Sequence, residues 1–145
     1  MTICGNVMTE SPKCCEPNDT AADVASLMKR ENVGSVPVCT DGRSKKLIGV
    51  VTDRDLAMKI VAEGRDPKTT KVSDVMTENP VTCQPEEDLA IALESMEQYQ
   101  VRRIPVIADG GRLVGIISQA DIATRGGWPE LTAEVVEYIS QPARA

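Results

Sequence analysis

The sequence predicts an α+β protein made of two β-α-β-β-α repeats, packed face to face through their sheets about a pseudo-two-fold axis. Three observations carry this expectation. VMTESP at residues 7–12 returns as VMTENP at residues 75–80, an offset of 68, and a repeat of that kind sets the architecture. In both copies short apolar runs bounded by Pro or Asp-Gly alternate with amphipathic stretches of helical period. Finally, two copies are too few for a solenoid, so each must bury its apolar face against the other.

Each copy opens on an extended piece bounded by prolines, residues 12–17 and 80–85. Proline pushes the residue before it out of the helical region. A helix follows. Thr20 with Asp23 three residues on makes a capping box, with Asp in place of the usual Glu, and Val24, Leu27 and Met28 then share one face. In the second copy Asp88 is the cap and Leu89, Leu93 and Met96 form the stripe. Both methionines are read as core filler.

Short strands come next, over residues 36–39 and 104–107. Asp41-Gly42 and Asp109-Gly110-Gly111 are turn signals, and second strands return over 46–51 and 112–117. From Leu47 the offset becomes 66, because the first copy has the longer loop. The first closing helix is predicted over 53–63, stopped at Gly64. The second is short and stops near Gly126-Gly127. The repeats are thus expected over 7–64 and 74–127, joined by a polar linker, 65–73, with Pro67. Beyond Trp128-Pro129, Leu131, Val135 and Ile139 predict a last amphipathic helix within 128–145.

Composition excludes several function classes. There is no Phe, one Trp and two Tyr, so the core must be aliphatic and stacking on nucleic-acid bases is poorly supplied. The net charge of -6 opposes a broad contact with a phosphate backbone. No stretch approaches the roughly 20 apolar residues of a membrane span. The first residues lack the pattern of a signal peptide, so Cys4, Cys14, Cys15, Cys39 and Cys83 are expected to be reduced thiols in the cytoplasm. With no histidine in the chain, the commonest general base and the usual metal ligand are missing. Together with the absence of a P-loop and of clustered carboxylates, this points away from an enzyme. No catalytic residue and no metal site are expected. Cys15 and Cys83 occupy equivalent repeat positions, which favours small buried packing residues.

The stretch that best carries chemistry is GVVTDRDL at residues 49–56, which returns as GIISQADI at 115–122. An apolar strand runs into a hydroxyl residue, Thr52 or Ser118, and three residues later comes Asp55 or Asp121. Hydroxyl and carboxylate then sit at a helix start, where free N–H groups favour a phosphorylated ligand. The same residues also suit a purely structural role, since a first-turn carboxylate contributes roughly 0.3–1 kcal/mol to its helix.

With these features in order, the chain resembles a tandem pair of CBS (cystathionine β-synthase-type) domains, a Bateman module. The resemblance rests on VMT…P, on the strands VGSVPV and VRRIPV, on Asp-Gly, and on G-h-h-[ST]-x-x-D (h, apolar), each present twice within residues 7–124. It implies two clefts between the repeats that bind adenosine compounds: AMP, ADP, ATP, S-adenosylmethionine, NAD-like or cyclic dinucleotides. The aspartate would hold the ribose hydroxyls and the Ser or Thr would approach phosphate. By position, the first cleft would use Thr52, Asp55, Thr77, Val81 and Thr82, with residues 101–104 beside the base, Ile104 among them. The second would use Ser118, Asp121, Thr9, Lys13 and Cys14, with residues 33–36, including Ser35 and Val36. Arg102 and Arg103 lie where phosphate would be met, but on an extended segment they point to opposite faces.

Two departures from the pattern predict unequal clefts. Gly34-Ser35 replaces the basic pair in the first copy, and Gln119-Ala120 stands where the first copy has Asp53-Arg54. The resemblance further implies a homodimer that regulates a client protein and requires no cofactor. The alternative function is a dimerisation or interaction module with unoccupied clefts.

Overall fold

Local signals explain most of the elements in a computed structural model that describes residues 1–125. In chain order these are β1 (Thr9–Glu10), α1 (Ala21–Glu31), β2 (Ser35–Cys39), β3 (Leu47–Thr52), α2 (Asp53–Leu56), β4 (Thr77–Glu78), α3 (Leu89–Tyr99), β5 (Arg103–Ala108), β6 (Arg112–Ser118) and α4 (Gln119–Arg125). The predicted stop at Gly126-Gly127 and the helix carrying Leu131, Val135 and Ile139 lie outside the described residues.

The chain forms two compact units, each with a three-stranded sheet. One unit comprises Lys13–Pro80 with Gly110–Arg112. Its sheet runs β2-β3-β4, with both pairings antiparallel. Thr20 caps α1 as expected: its side chain accepts from the Asp23 N–H, and the Asp23 carboxylate accepts from the Thr20 N–H. Val24 and Met28 then turn inward and pack with Val36, Val38, Val51 and Val72. Replacing Thr20 by alanine leaves the Asp23 N–H without its acceptor, so Thr20→Ala should lower stability by about 1 kcal/mol. Urea unfolding reads this directly, and a midpoint shift within error of zero would refute it.

The other unit comprises, among the described residues, Met1–Pro12, Val81–Asp109 and residues 113–125. Its sheet runs β1-β6-β5. Asp88 caps α3 by accepting from the Ala90 N–H. Leu89, Leu93 and Met96 meet Ile104, Val106, Ile117 and Ile122 in an aliphatic core. The repeat extends to backbone conformation. The helix-ending residues Asn32 and Gln100 have φ of 55° and 53°, and the equivalent Ser11 and Asn79 have 50° and 51°. All four take the left-handed conformation that ends helices and sharpens turns.

Three features differ from the sequence expectation. The proline-bounded pieces are not the first strands. Each makes a single bridge, Cys15 to Val38 and Cys83 to Val106. The third strand of each sheet comes instead from the Thr-Glu of the VMTE segments, β1 and β4. Two residues are too few to show strand periodicity. The closing helix of the first copy is α-helical only over Asp53–Leu56 and continues as a wider, five-residue-spaced turn over Ala57–Val61. There the Ala62 N–H reaches the Ala57 carbonyl at 2.9 Å. The chain then turns at Gly64, φ 66°. Residues 65–73 are held to the start of α1: the N–H groups of Ala21 and Ala22 donate to the Thr70 and Pro67 carbonyls, and Val72 is fully buried. Its polar composition hid this, because the buried contacts are made largely by the backbone.

Candidate functional site

Two strand-to-helix turns hold the predicted hydroxyl and carboxylate pairs. At the end of β3, Thr52 caps α2. Its Oγ1 accepts from the Asp55 N–H at 3.1 Å, and the Asp55 Oδ2 accepts from the Thr52 N–H at 2.9 Å. At the end of β6 the Ser118 Oγ accepts from the Asp121 N–H at 3.3 Å, and the Asp121 Oδ2 accepts from the Ser118 N–H at 2.9 Å. The sequence spacing is therefore a reciprocal capping box in both copies.

The two carboxylates differ in what else they hold. The Asp55 Oδ1 pairs with Lys59 Nζ at 3.2 Å, one helical turn on, and the Asp55 side chain is 12% exposed. Lys59 Nζ also donates to the Val75 carbonyl at 2.9 Å, tying the closing helix to the segment before β4. Asp121 is buried, and its partners are hydroxyls. Thr9 Oγ1 donates to Oδ1 at 3.0 Å, and Ser118 Oγ lies 3.0 Å from Oδ2. Thr9, Ser118 and Asp121 are thus brought together within one unit. Thr77, the repeat equivalent of Thr9, lies on β4 opposite Val50, beside the strand that ends in Thr52. Lys59 was missed in the sequence, although its four-residue spacing from Asp55 is a readable ion-pair signal.

The remaining predicted residues fall as follows. Lys13, Cys14, Ser35 and Val36 lie in the unit that holds Thr52 and Asp55. Val81, Thr82, Arg102, Arg103 and Ile104 lie in the unit that holds Ser118 and Asp121. Val36 and Ile104 are core residues, 1% and 0% exposed. Arg102 is exposed and Arg103, the first residue of β5, is half-buried.

The two places where the copies depart from each other are also explained. The Asp53 N–H donates to the Gly34 carbonyl at 2.8 Å, and a Cβ at Gly34 would lie 2.9 Å from the Asp53 Oδ2. Glycine at 34 therefore leaves room for the carboxylate. In the second copy Arg102 and Gln119 stand at these positions, and Gln119 Nε2 is buried without a hydrogen-bond partner among the described residues. One turn presents an acid; its counterpart presents a buried amide donor. Among the described residues no three Cys, Asp or Glu side chains are grouped to hold a metal, and no helix is long and apolar enough to cross a membrane.

Comparison with known proteins agrees with the duplicated fold. The sequence profile of the CBS domain matches residues 4–62 and 72–126. The CBS domain-containing protein YhcV of Bacillus subtilis (strain 168) is 41% identical over 123 residues, 85% of this chain and 84% of that protein. Hypoxic response protein 1 of Mycobacterium tuberculosis is 34% identical over the same length, with the same shares. A crystal structure of Hypoxic Response Protein I with two coordinated zinc ions superposes with a TM-score of 0.76 at 34% identity, covering 84% of this chain and 97% of that one. The CBS domain pair of protein MJ0100, in complex with 5'-methylthioadenosine and S-adenosyl-L-methionine, superposes with a TM-score of 0.75 at 25% identity, covering 88% and 97%.

Proposed function

The chain belongs to the CBS domain family, with matches over both of its repeats, and from that premise we propose that it is a non-catalytic regulatory module that binds adenosine-containing nucleotides. The observation that carries this is the pair of Ser/Thr–Asp capping boxes, each a carboxylate beside a helix start at the end of a strand. A carboxylate accepts two hydrogen bonds from a vicinal diol, and the free N–H groups of a first turn suit phosphate. Asp55 and Asp121 take the ribose hydroxyls; Thr52 and Ser118 approach phosphate. Thr9, Lys13, Cys14, Ser35, Val36, Thr77, Val81, Thr82, Arg102, Arg103 and Ile104 are the proposed lining residues. The complex of the MJ0100 pair with 5'-methylthioadenosine and S-adenosyl-L-methionine supports S-adenosylmethionine beside AMP, ADP, ATP and NAD as candidate ligands. The module is further proposed to act in the cytoplasm, as a homodimer, on a client protein.

A thermal-shift series tests the ligand class. A nucleotide at a hundred times its dissociation constant stabilises the folded state by about 2.7 kcal/mol, so at least one of the five candidates is expected to raise the melting temperature in proportion to its logarithmic concentration. If none of them moves it, the clefts are vestigial and the chain serves as an interaction module instead. Light scattering showing only single chains at micromolar concentration would refute the homodimer.

A further inference from the structure

Lys59 holds two parts of the candidate site at once. It lies at the middle of the wide turn Ala57–Val61, a helix irregularity of the kind that recurs at functional sites. Its Nζ pairs with the Asp55 Oδ1 at 3.2 Å and donates to the Val75 carbonyl at 2.9 Å. Val75 is buried and stands two residues before Thr77, which is opposite Val50 where β4 pairs with β3. Asp55, Lys59, Val75 and Thr77 all belong to one unit. Through a single ammonium group the carboxylate is therefore fixed against the segment that leads into β4.

What this does for Asp55 follows from its acceptor sites. An ionised carboxylate offers about four, two on each oxygen. At Asp55 the Oδ2 takes the Thr52 N–H and the Oδ1 takes Lys59, so each oxygen is held in orientation and keeps one site open. At Asp121 the Oδ2 takes both the Ser118 N–H and the Ser118 hydroxyl, and the Oδ1 takes the Thr9 hydroxyl. A vicinal diol that donates through both hydroxyls fits one open site on each oxygen. Asp55 supplies these as it stands, whereas Asp121 must first give up a hydroxyl.

We propose that Lys59 is a positioning residue for ribose recognition: it holds the Asp55 carboxylate in the orientation that accepts both the 2'- and the 3'-hydroxyl, and so makes this turn select ribonucleotides over their 2'-deoxy analogues. The inference rests on the nucleotide reading above and adds to it a residue and a selectivity. With Lys59 in place the carboxylate is held from both sides. Without it only the Thr52 N–H remains, and the other oxygen can turn about that one bond. A diol must then order the carboxylate itself, which weakens the contact it makes. Lys59 also offsets the negative charge that a phosphate would meet. That effect falls equally on a ribonucleotide and its 2'-deoxy analogue, so the ratio of their affinities isolates the positioning.

The test is calorimetric titration of the full chain with AMP and with ATP, each beside its 2'-deoxy analogue. The wild type should prefer the ribonucleotide by about tenfold or more. Lys59→Met should reduce that preference to about threefold or less, and Lys59→Arg, which keeps a cation at this position, should retain most of it. In an Asp55→Ala background, Lys59→Met should change the preference no further. If Lys59→Met does not fold, Lys59→Gln carries the same expectation. A preference unchanged in the folded variant overturns the positioning role, even if both affinities fall together, and leaves the nucleotide reading intact. A wild-type chain that binds neither AMP nor ATP, or binds them no better than the 2'-deoxy analogues, also overturns the proposal. The thermal-shift series with S-adenosylmethionine and NAD then decides separately whether the nucleotide reading survives.

Discussion

Replacing Asp121 by alanine is expected to lower stability by about 2–4 kcal/mol, whereas the same change at Asp55 is expected to cost about 1 kcal/mol. Asp121 is buried and accepts from the Ser118 N–H, the Ser118 hydroxyl and the Thr9 hydroxyl. Removing it leaves three donors together in a site that water reaches poorly. The Thr9 bond is also the side-chain tie between β1 and the start of α4. Asp55 loses one backbone bond and a lysine that is itself 44% exposed and can turn to solvent. Partly exposed ion pairs of this kind contribute little. Urea unfolding of the two variants measures the difference, and equal losses would refute it.

Nucleotide affinity is expected to run the other way. Asp55 has fewer oxygen sites already occupied, and Lys59 offsets ligand charge nearby. Asp55→Ala should therefore weaken binding more than tenfold, about 1.4 kcal/mol or more. Asp121 must give up its Thr9 hydrogen bond before accepting a diol fully, so Asp121→Ala should cost less affinity. Calorimetric titration of both variants with S-adenosylmethionine and AMP reads the order. The reverse order would show that Asp121 is the principal ribose contact.

The second large effect is expected at the glycines that open the repeated motif. A Cβ at Gly49 would lie 2.9 Å from the Thr77 carbonyl and 2.8 Å from the Met76 Sδ. At Gly115 the nearest atoms all belong to the Met8 side chain. Gly49→Ala should lower stability by about 1–3 kcal/mol, because the obstacle includes backbone of β4 that is paired to β3. Gly115→Ala should cost a similar amount alone. Shortening the methionine separates the two. Met8→Ala should relieve much of the Gly115→Ala loss, whereas Met76→Ala should leave most of the Gly49→Ala loss in place. Double-mutant cycles measure this coupling, and strong rescue at Gly49 would refute the backbone clash.

Much of the fold was legible from local chemistry. Thr20 and Asp88 announced their helices, the aliphatic stripes announced which faces are buried, and the duplicated VMT…P and [ST]-x-x-D segments announced the architecture. The hydroxyl–carboxylate pairs were legible too, because their partners lie three residues apart. What could not be read was every contact made across a long separation in sequence. Thr9 meets Asp121 across 112 residues, and two-residue strands carry no period by which to place them.

The sequence by itself determined the repeat, the element order and the identity of the two turns, since these depend on neighbours within a few residues. Only the tertiary structure decided how the two turns differ in their partners. Through chain folding Asp121 acquires a buried hydroxyl network, while Asp55 keeps a lysine partner at the surface. Folding likewise leaves Cys14 half-buried and its neighbour Cys15 buried. Burial and long-range hydrogen bonds set those differences, and neither is a property of a residue and its immediate neighbours.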